Sequence, residues 1–245
     1  MAAVLVAGVW AGAINTVVGS GTLVTFPVLL AVGFPPVVAN VSNSIGLVPG
    51  SLAGAWGYRR ELAGQRERAL RLGSASVLGA VAGAILLLEL PASAFEAIVP
   101  IFIVLALLGI IFQPQLQRRI GRPHEPGSHG GLSSWLAVLV GGVYGGYFGA
   151  AQGILLLAFL GLTLHEDLHR LNALKNVLAG VVNFVSGLVF VFVADVAWEA
   201  AGLVAVGATI GGLLGGRYGR RLPARVLRAV IVTVGVAAIV QLLVR

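Results

Sequence analysis

Gly19-Ser20-Gly21-Thr22 interrupts a stretch of apolar residues with small, flexible and hydroxyl-bearing ones. Irregular backbone at membrane depth persists only where protein or a water-filled cavity surrounds it. Glycines at such a break let backbone approach a ligand closely. A helix starting near Thr22 would aim free N–H groups and the positive end of its dipole at that ligand, which suits an anion. Asn15, Ser20 and Thr22 add side-chain donors, and the competing role for these glycines is close helix packing. A second break holds Gly145, Gly146, Gly149, Ala150, Ala151, Gln152 and Gly153. An unpaired amide in an apolar segment costs about 2–7 kcal/mol, so Gln152 either binds substrate or braces its own segment.

Two polar stripes follow the breaks. Asn40, Ser44, Leu47, Ser51 and Gly54 are spaced four, three, four and three, and Asn172, Asn176, Ala179, Asn183 and Ser186 repeat that spacing 132 positions later. Each set lies on one helix face, where it lines a cavity or ties helices together. Ser42 and Asn43 sit beside the first stripe. Lys175, the only lysine in the chain, lies about one turn into the second. A cation there either serves an anionic substrate or snorkels to the nearby interface beside Arg170, Glu166 and Asp167. The sequence places no Asp or Glu in the middle of a span and puts all four His in loops. If transport is coupled to protons, the proton rides with the substrate or uses a carboxylate near a helix end, with Glu89, Glu96, Asp195 and Glu199 as the weak candidates.

The elements that carry these residues are apolar throughout. Of 245 residues 58% are hydrophobic and 10% charged, with mean hydropathy +0.98. Soluble domains carry about 25% charged residues, and a span needs about 20 apolar residues, so the chain reads as an all-α polytopic membrane protein. The net charge of +7 comes from Arg in short loops, which marks the cytoplasmic side and argues against nucleic acid. There is no Cys, hence no disulfide or thiolate metal site. No cofactor is expected. The start of the chain lacks the basic region of a signal peptide, so residues 1–32 read as mature structure. No paired Ser and His or metal-binding set stands at membrane depth, so no enzyme is expected.

Apolar segments are predicted at 3–32 (interrupted), 36–57, 71–90, 95–113, 134–164 (interrupted), 171–193, 197–216 and 225–244. Each half has one interrupted segment and three plain helices. Gly8-Val9-Trp10-Ala11-Gly12 is echoed by Gly142-Val143-Tyr144-Gly145-Gly146, 134 positions on, which sets Gly19 against Gly153. The loop charges flip between the halves: Arg59, Arg60, Arg66, Arg68 and Arg71 correspond to Asp195 and Glu199, and Glu89 and Glu96 to Arg217, Arg220, Arg221, Arg225 and Arg228. The positive-inside rule then gives the halves opposite orientation. The domains are a first repeat at 1–113, a cytoplasmic linker at 114–133 containing Arg118, Arg119 and Arg122, and an inverted second repeat at 134–245. Each interrupted segment must enter and leave on one side, as a broken or re-entrant hairpin. Duplicated, interrupted segments of this kind mark transporter binding sites.

The Gly19-x-Gly21 break, followed by Pro27 and Gly33 and by Ala39-Asn40-Val41-Ser42-Asn43-Ser44, resembles the sulfite exporter TauE/SafE family of membrane permeases over nearly the whole chain. The second repeat departs from that pattern, with Ala150-Ala151-Gln152-Gly153 in place of a fuller glycine run and Gly161 where a Pro is expected. The resemblance implies a bacterial plasma-membrane permease for small anions, such as sulfite, organosulfonates and related sulfur species; an anion channel, or a permease for a small carboxylate without sulfur, is the alternative. The expected substrate site comprises Asn15, Gly19, Ser20, Gly21, Thr22, Asn40, Asn43, Ser44, Gln152, Gly153, Asn172, Lys175, Asn176 and Asn183. The expected partners are a small anion and the lipid bilayer, with no nucleic acid. Proton coupling and a homo-oligomer stay open.

Overall fold

The computed structural model describes residues 1–120, 131–164 and 166–218, together with the isolated positions 233, 236 and 240. Among these residues the chain is all-helical. Helices α1 (Ala2–Val17) and α2 (Thr22–Val32) form the first interrupted segment, and α6 (Leu132–Tyr147) and α7 (Gln152–Thr163) the second. At 1.5 Å per residue, α1 and α6 reach about 24 Å and α2 and α7 about 17 Å, all short of the roughly 30 Å hydrocarbon core. The longer helices are α3 (Pro36–Gly57), α4 (Arg66–Glu89), α5 (Ala92–Ile120), α8 (Leu168–Val193) and α9 (Trp198–Tyr218). Of these, α4, α8 and α9 are long and apolar enough to cross a membrane by length and composition.

Three boundaries differ from expectation. The stretch 114–120, read as the start of the linker, continues α5, and Arg66, Arg68 and Arg71, read in a loop, lie at the start of α4. His169, expected in a loop, occupies the first turn of α8, whose N-cap Asp167 accepts the His169 N–H at 2.8 Å. A single capping carboxylate thus starts this helix three residues before its apolar pattern does. The segment predicted at 225–244 lies almost wholly outside the described residues, as do positions 121–130 of the linker.

Small residues decide which helices meet. A methyl added at Gly79 or Gly83 of α4 would stand 2.4 and 2.2 Å from the carbonyls of Leu139 and Val143 on α6. The same addition at Gly211 or Gly215 of α9 would stand 1.9 and 2.8 Å from the carbonyls of Val9 and Ala13 on α1. These two seams are one pattern, repeated 132 residues on in the long helices and 130 on in the hairpin arms. Without a hydrophobic force between helices in lipid, such close backbone approach supplies the packing energy. The two halves therefore exchange helices: α9 packs on α1 and α3, while α4 packs on α6 and α8.

Helix direction follows from the same contacts. Gly8 meets Val204 and Gly12 meets Ala208, and along α3 Gly46 meets Val204 while Gly57 meets Gly216. Numbers rise together, so α1, α3 and α9 run the same way. Along α3 and α8 they run in opposition, with Gly180 against Ser51 and Gly187 against Ile45. The two stripe helices are antiparallel.

Candidate functional site

Both hairpin arms end alike. The N–H groups of Val18 and Gly19 both donate to Ile14 O, at 2.7 and 3.1 Å, and those of Phe148 and Gly149 both donate to Tyr144 O, at 2.9 and 3.1 Å. Gly19 has φ 89° and Gly149 φ 74°, the left-handed turn that ends a helix and that glycine adopts without a Cβ penalty. The backbone thus equates Gly19 with Gly149, 130 residues on, and not with Gly153 as the sequence echo suggests. The difference of four is about one helical turn, which keeps the same face and hides the slip from a periodicity argument.

Gly19 and Gly153 are instead in contact. The Gly153 N–H donates to Gly19 O at 3.0 Å, and a methyl on Gly153 would lie 2.4 Å from Gly19 Cα. The tips of the two hairpins therefore meet backbone to backbone. At the first tip, the N–H groups of Ser20, Gly21 and Thr22 have no backbone acceptor, as the first turn of a helix requires. Ser20 is buried and its Oγ has no hydrogen-bond partner. At the second tip, Ala151 holds φ 56°. An L-residue pays about 1–2 kcal/mol there, and the residue is buried.

The stripes close around these tips, each reaching across to the other half. The Asn40 amide donates to Tyr147 O, the last carbonyl of α6, at 2.9 Å. Its counterpart Asn172 donates to Thr16 O, in the last turn of α1, at 3.2 Å. Both amides are buried and both leave Oδ1 without a partner. Asn176 adds a second bond to Thr16 O at 3.2 Å. Asn43 donates to Thr22 Oγ1 at 3.1 Å and accepts from Thr25 Oγ1, fixing the first turn of α2. Asn15 and Asn183 each donate to Ser51 Oγ at 3.4 Å. Ser44 and Ser186 are spent on carbonyls of their own helices.

Geometry bears on two residues whose roles the sequence leaves open. Gln152 lies against Gly145, where a methyl would stand 2.2 Å from its Cδ, and donates to Gly141 O at 3.3 Å. That bond ties it to its own hairpin and takes up one of its amide N–H groups. Lys175 does not snorkel: it is 0% exposed, and its ammonium nitrogen lies 3.0 Å from Asn15 O and 3.5 Å from Thr16 O. It points inward because the last carbonyls of α1, unsatisfied within that helix, carry the negative end of the dipole. Its stem also touches the tip contact, with Cδ 3.0 Å from a methyl placed on Gly153.

Two further clusters were not singled out by sequence reasoning. Phe26, Phe95, Phe148 and Tyr147 form a block of edge-packed and tilted rings with centroids 5.1–6.3 Å apart. They come from α2, the start of α5 and the second break, so no spacing could join them. Glu166 pairs with Arg68 at 2.9 Å and Arg170 at 3.0 Å, while Gln65 and Arg170 exchange bonds with Arg170 O and Ala63 O. Burial pushes the Glu166 carboxyl up, but the bond from Arg68 and the charges of Arg170 and Arg68 outweigh it and hold the group below its usual value. This knot ties the loop before α4 to the loop before α8. The signal in the sequence was charge of both signs at 66–71 and 166–170.

The family model for Sulfite exporter TauE/SafE matches residues 4–242. The chain belongs to this family. The family's curated relatives include the Probable membrane transporter protein YfcA of Escherichia coli (strain K12), 28% identical over 208 residues that cover 80% of this chain and 72% of that protein. The Probable membrane transporter protein ORF9 of Sinorhizobium sp is 26% identical over 251 residues, covering 99% of this chain and 92% of its own. A Probable membrane transporter protein of Haemophilus influenzae is 24% identical over 203 residues, covering 82% and 78%. No solved structure matches.

Proposed function

We propose that this TauE/SafE protein is a permease of the bacterial plasma membrane that moves small anions, sulfite, organosulfonates or related sulfur species, by alternating access between two inverted hairpin repeats. The observation that carries the reading is the contact of the two tips at Gly19 and Gly153, with unpaired N–H groups, the Ser20 hydroxyl and Lys175 gathered around it. Donors and a lysine with no acid beside them among the described residues favour a negative ligand. The relatives named as membrane transporters support the class. The antiparallel stripe helices and the flipped loop charges support the inversion.

In this reading the anion sits against the first turn of α2, between the tips. Its entry requires the Gly153–Gly19 bond to open, and rocking of one repeat against the other exposes the seat to either side. The aromatic block closes the outer path, where α4 ends at Glu89 and α5 begins with Glu96 near its start. The Glu166 knot closes the inner path, beside the basic loop. Asn15, Asn40, Asn43, Asn172 and Asn176 shape the seat at the hairpin ends, and Asn183 shares Ser51 with Asn15.

Two experiments test this. Thermal-shift screening of the purified protein against sulfite, thiosulfate, sulfonates and carboxylates should show stabilisation by sulfur anions, and saturable, exchange-stimulated flux of the same anion should follow in liposomes. A response to carboxylates alone, or a large single-channel conductance, overturns the reading. Cysteine-accessibility tagging should find Ala194 outside and Gln117 inside; the same side for both refutes the inversion.

A further inference from the structure

Lys175 is buried, and among the described residues no carboxylate pairs with it. The ion pairs among the described residues involve Arg68, Glu166 and Arg170, and the partners of Lys175 are the two carbonyls of Asn15 and Thr16. The end of a helix offers about half a negative charge, less than an ammonium group needs. Taking an unpaired charge out of water costs several kcal/mol even after relaxation, and a group so placed ordinarily sheds its charge instead. The helices packed against α8 supply no remedy. Helices α1, α3 and α7 carry no titratable side chain. Helix α4 carries Arg66, Glu67, Arg71 and Glu89, all exposed, and Arg68, which is held by Glu166. Helix α6 offers only the phenols of Tyr144 and Tyr147, and Tyr144 donates to Ala150 O. On α8 itself, His169 is exposed and Arg170 pairs with Glu166.

Resting on the anion site proposed above, we infer that Lys175 carries the coupling proton of the transport cycle: its amine is neutral while the seat is empty and binds one proton as the anion enters. The ammonium and the monoanion then cross the occluded state as a neutral pair, with no net charge buried. The proton comes from water on the side to which the seat is open, and it leaves the amine when the anion departs on the other side. The stem of Lys175 against the tip contact places the amine where both events are felt. No buried carboxylate is needed, which accounts for coupling in spans that carry none in the middle.

The chain's single lysine makes the test direct. Protein grown with ¹⁵N,¹³C-lysine and placed in nanodiscs gives one lysine side-chain signal. With the seat empty at pH 8, that signal should have the shift of an amine. Saturating ethanesulfonate, an anion that carries no titratable proton near neutrality, should move it to the shift of an ammonium. A pH dye in weak buffer should report uptake of about one proton per anion bound, lost in Lys175→Gln. An ammonium signal in the empty protein from pH 6 to 9 overturns the inference and leaves the anion site standing. Thermal stabilisation by ethanesulfonate with the amine signal unchanged does the same. No stabilisation by ethanesulfonate, sulfite or thiosulfate takes down both.

Discussion

Replacing Gly153 by Ala tests the tip contact with a single methyl. That methyl would lie 2.4 Å from Gly19 Cα, 2.9 Å from Gly19 O and 3.0 Å from Lys175 Cδ. Ordinary carbon contacts are about 3.5–4.0 Å, so the tips must part by roughly 1 Å. The lysine stem is flexible and can turn away, but the Gly19 backbone cannot. The Gly153–Gly19 bond, now 3.0 Å, would lengthen to about 4 Å, beyond hydrogen-bonding range. Overpacking costs about 1–3 kcal/mol and the lost bond about 0.5–1.5 kcal/mol. Together these weigh about 1.5–4.5 kcal/mol against touching tips, a roughly ten- to thousandfold fall in the ratio of closed to open molecules. The chain has no cysteine, so Ser20→Cys reports on the tip without background. A membrane-impermeant maleimide should label it at least tenfold faster in the Gly153→Ala background, with substrate flux altered to match. An unchanged labelling rate together with an unchanged melting temperature would show that the tips do not meet, and the transport mechanism built on them would fall.

Gly21→Val should abolish transport while leaving membrane insertion intact, because a side chain there begins 2.7 Å from Ala11 O; normal flux would show that the break is not the ligand seat. Asn40→Ala should lower stability by about 1–3 kcal/mol, the cost of stranding a buried polar group. Asn172→Ala should cost less, because Thr16 O keeps Asn176 and Lys175 as donors, and melting curves in detergent compare the two. The Glu166 knot should weaken in acid. Its carboxyl is held below its usual value, so the stabilisation is fully present above the unfolded value of about 4.3 and is lost as pH falls through the lower, folded one. Glu166→Gln should flatten that acid dependence of melting; a slope equal to wild type would refute it.

The breaks and the stripes were legible because small residues and amides inside apolar runs have few reasons to be there. Thr22 as the start of a helix, and the shared polar faces that carry Asn40 and Asn172, follow from that logic. The partnership itself was not legible. Periodicity says which face of a helix is polar, but not whose carbonyl that face meets, and so Asn172 could not be matched with Thr16. Lys175 shows the same limit: its depth could be counted along the chain, whereas its direction depends on the end of α1, some 160 residues earlier. Gly153 was read as the equivalent of Gly19 and is in fact its contact, because a shift of one turn leaves a helical pattern almost unaltered.

The exchanged helices set the order in which the protein can be made. Helix α1 ends at Val17 and the helix that fills its glycine seam, α9, begins at Trp198. At 5–20 residues per second, a ribosome needs about 9–36 s to bridge those roughly 180 residues. The first hairpin must wait that long in the lipid with its seam unfilled, whereas α6 finds α4 already in place as it emerges. Two hairpins alike in the finished protein thus have unlike births. A chain stalled before Trp198 would display the lone seam of α1 to any quality-control protease, and a chain stalled after Thr163 would already hold its second hairpin docked.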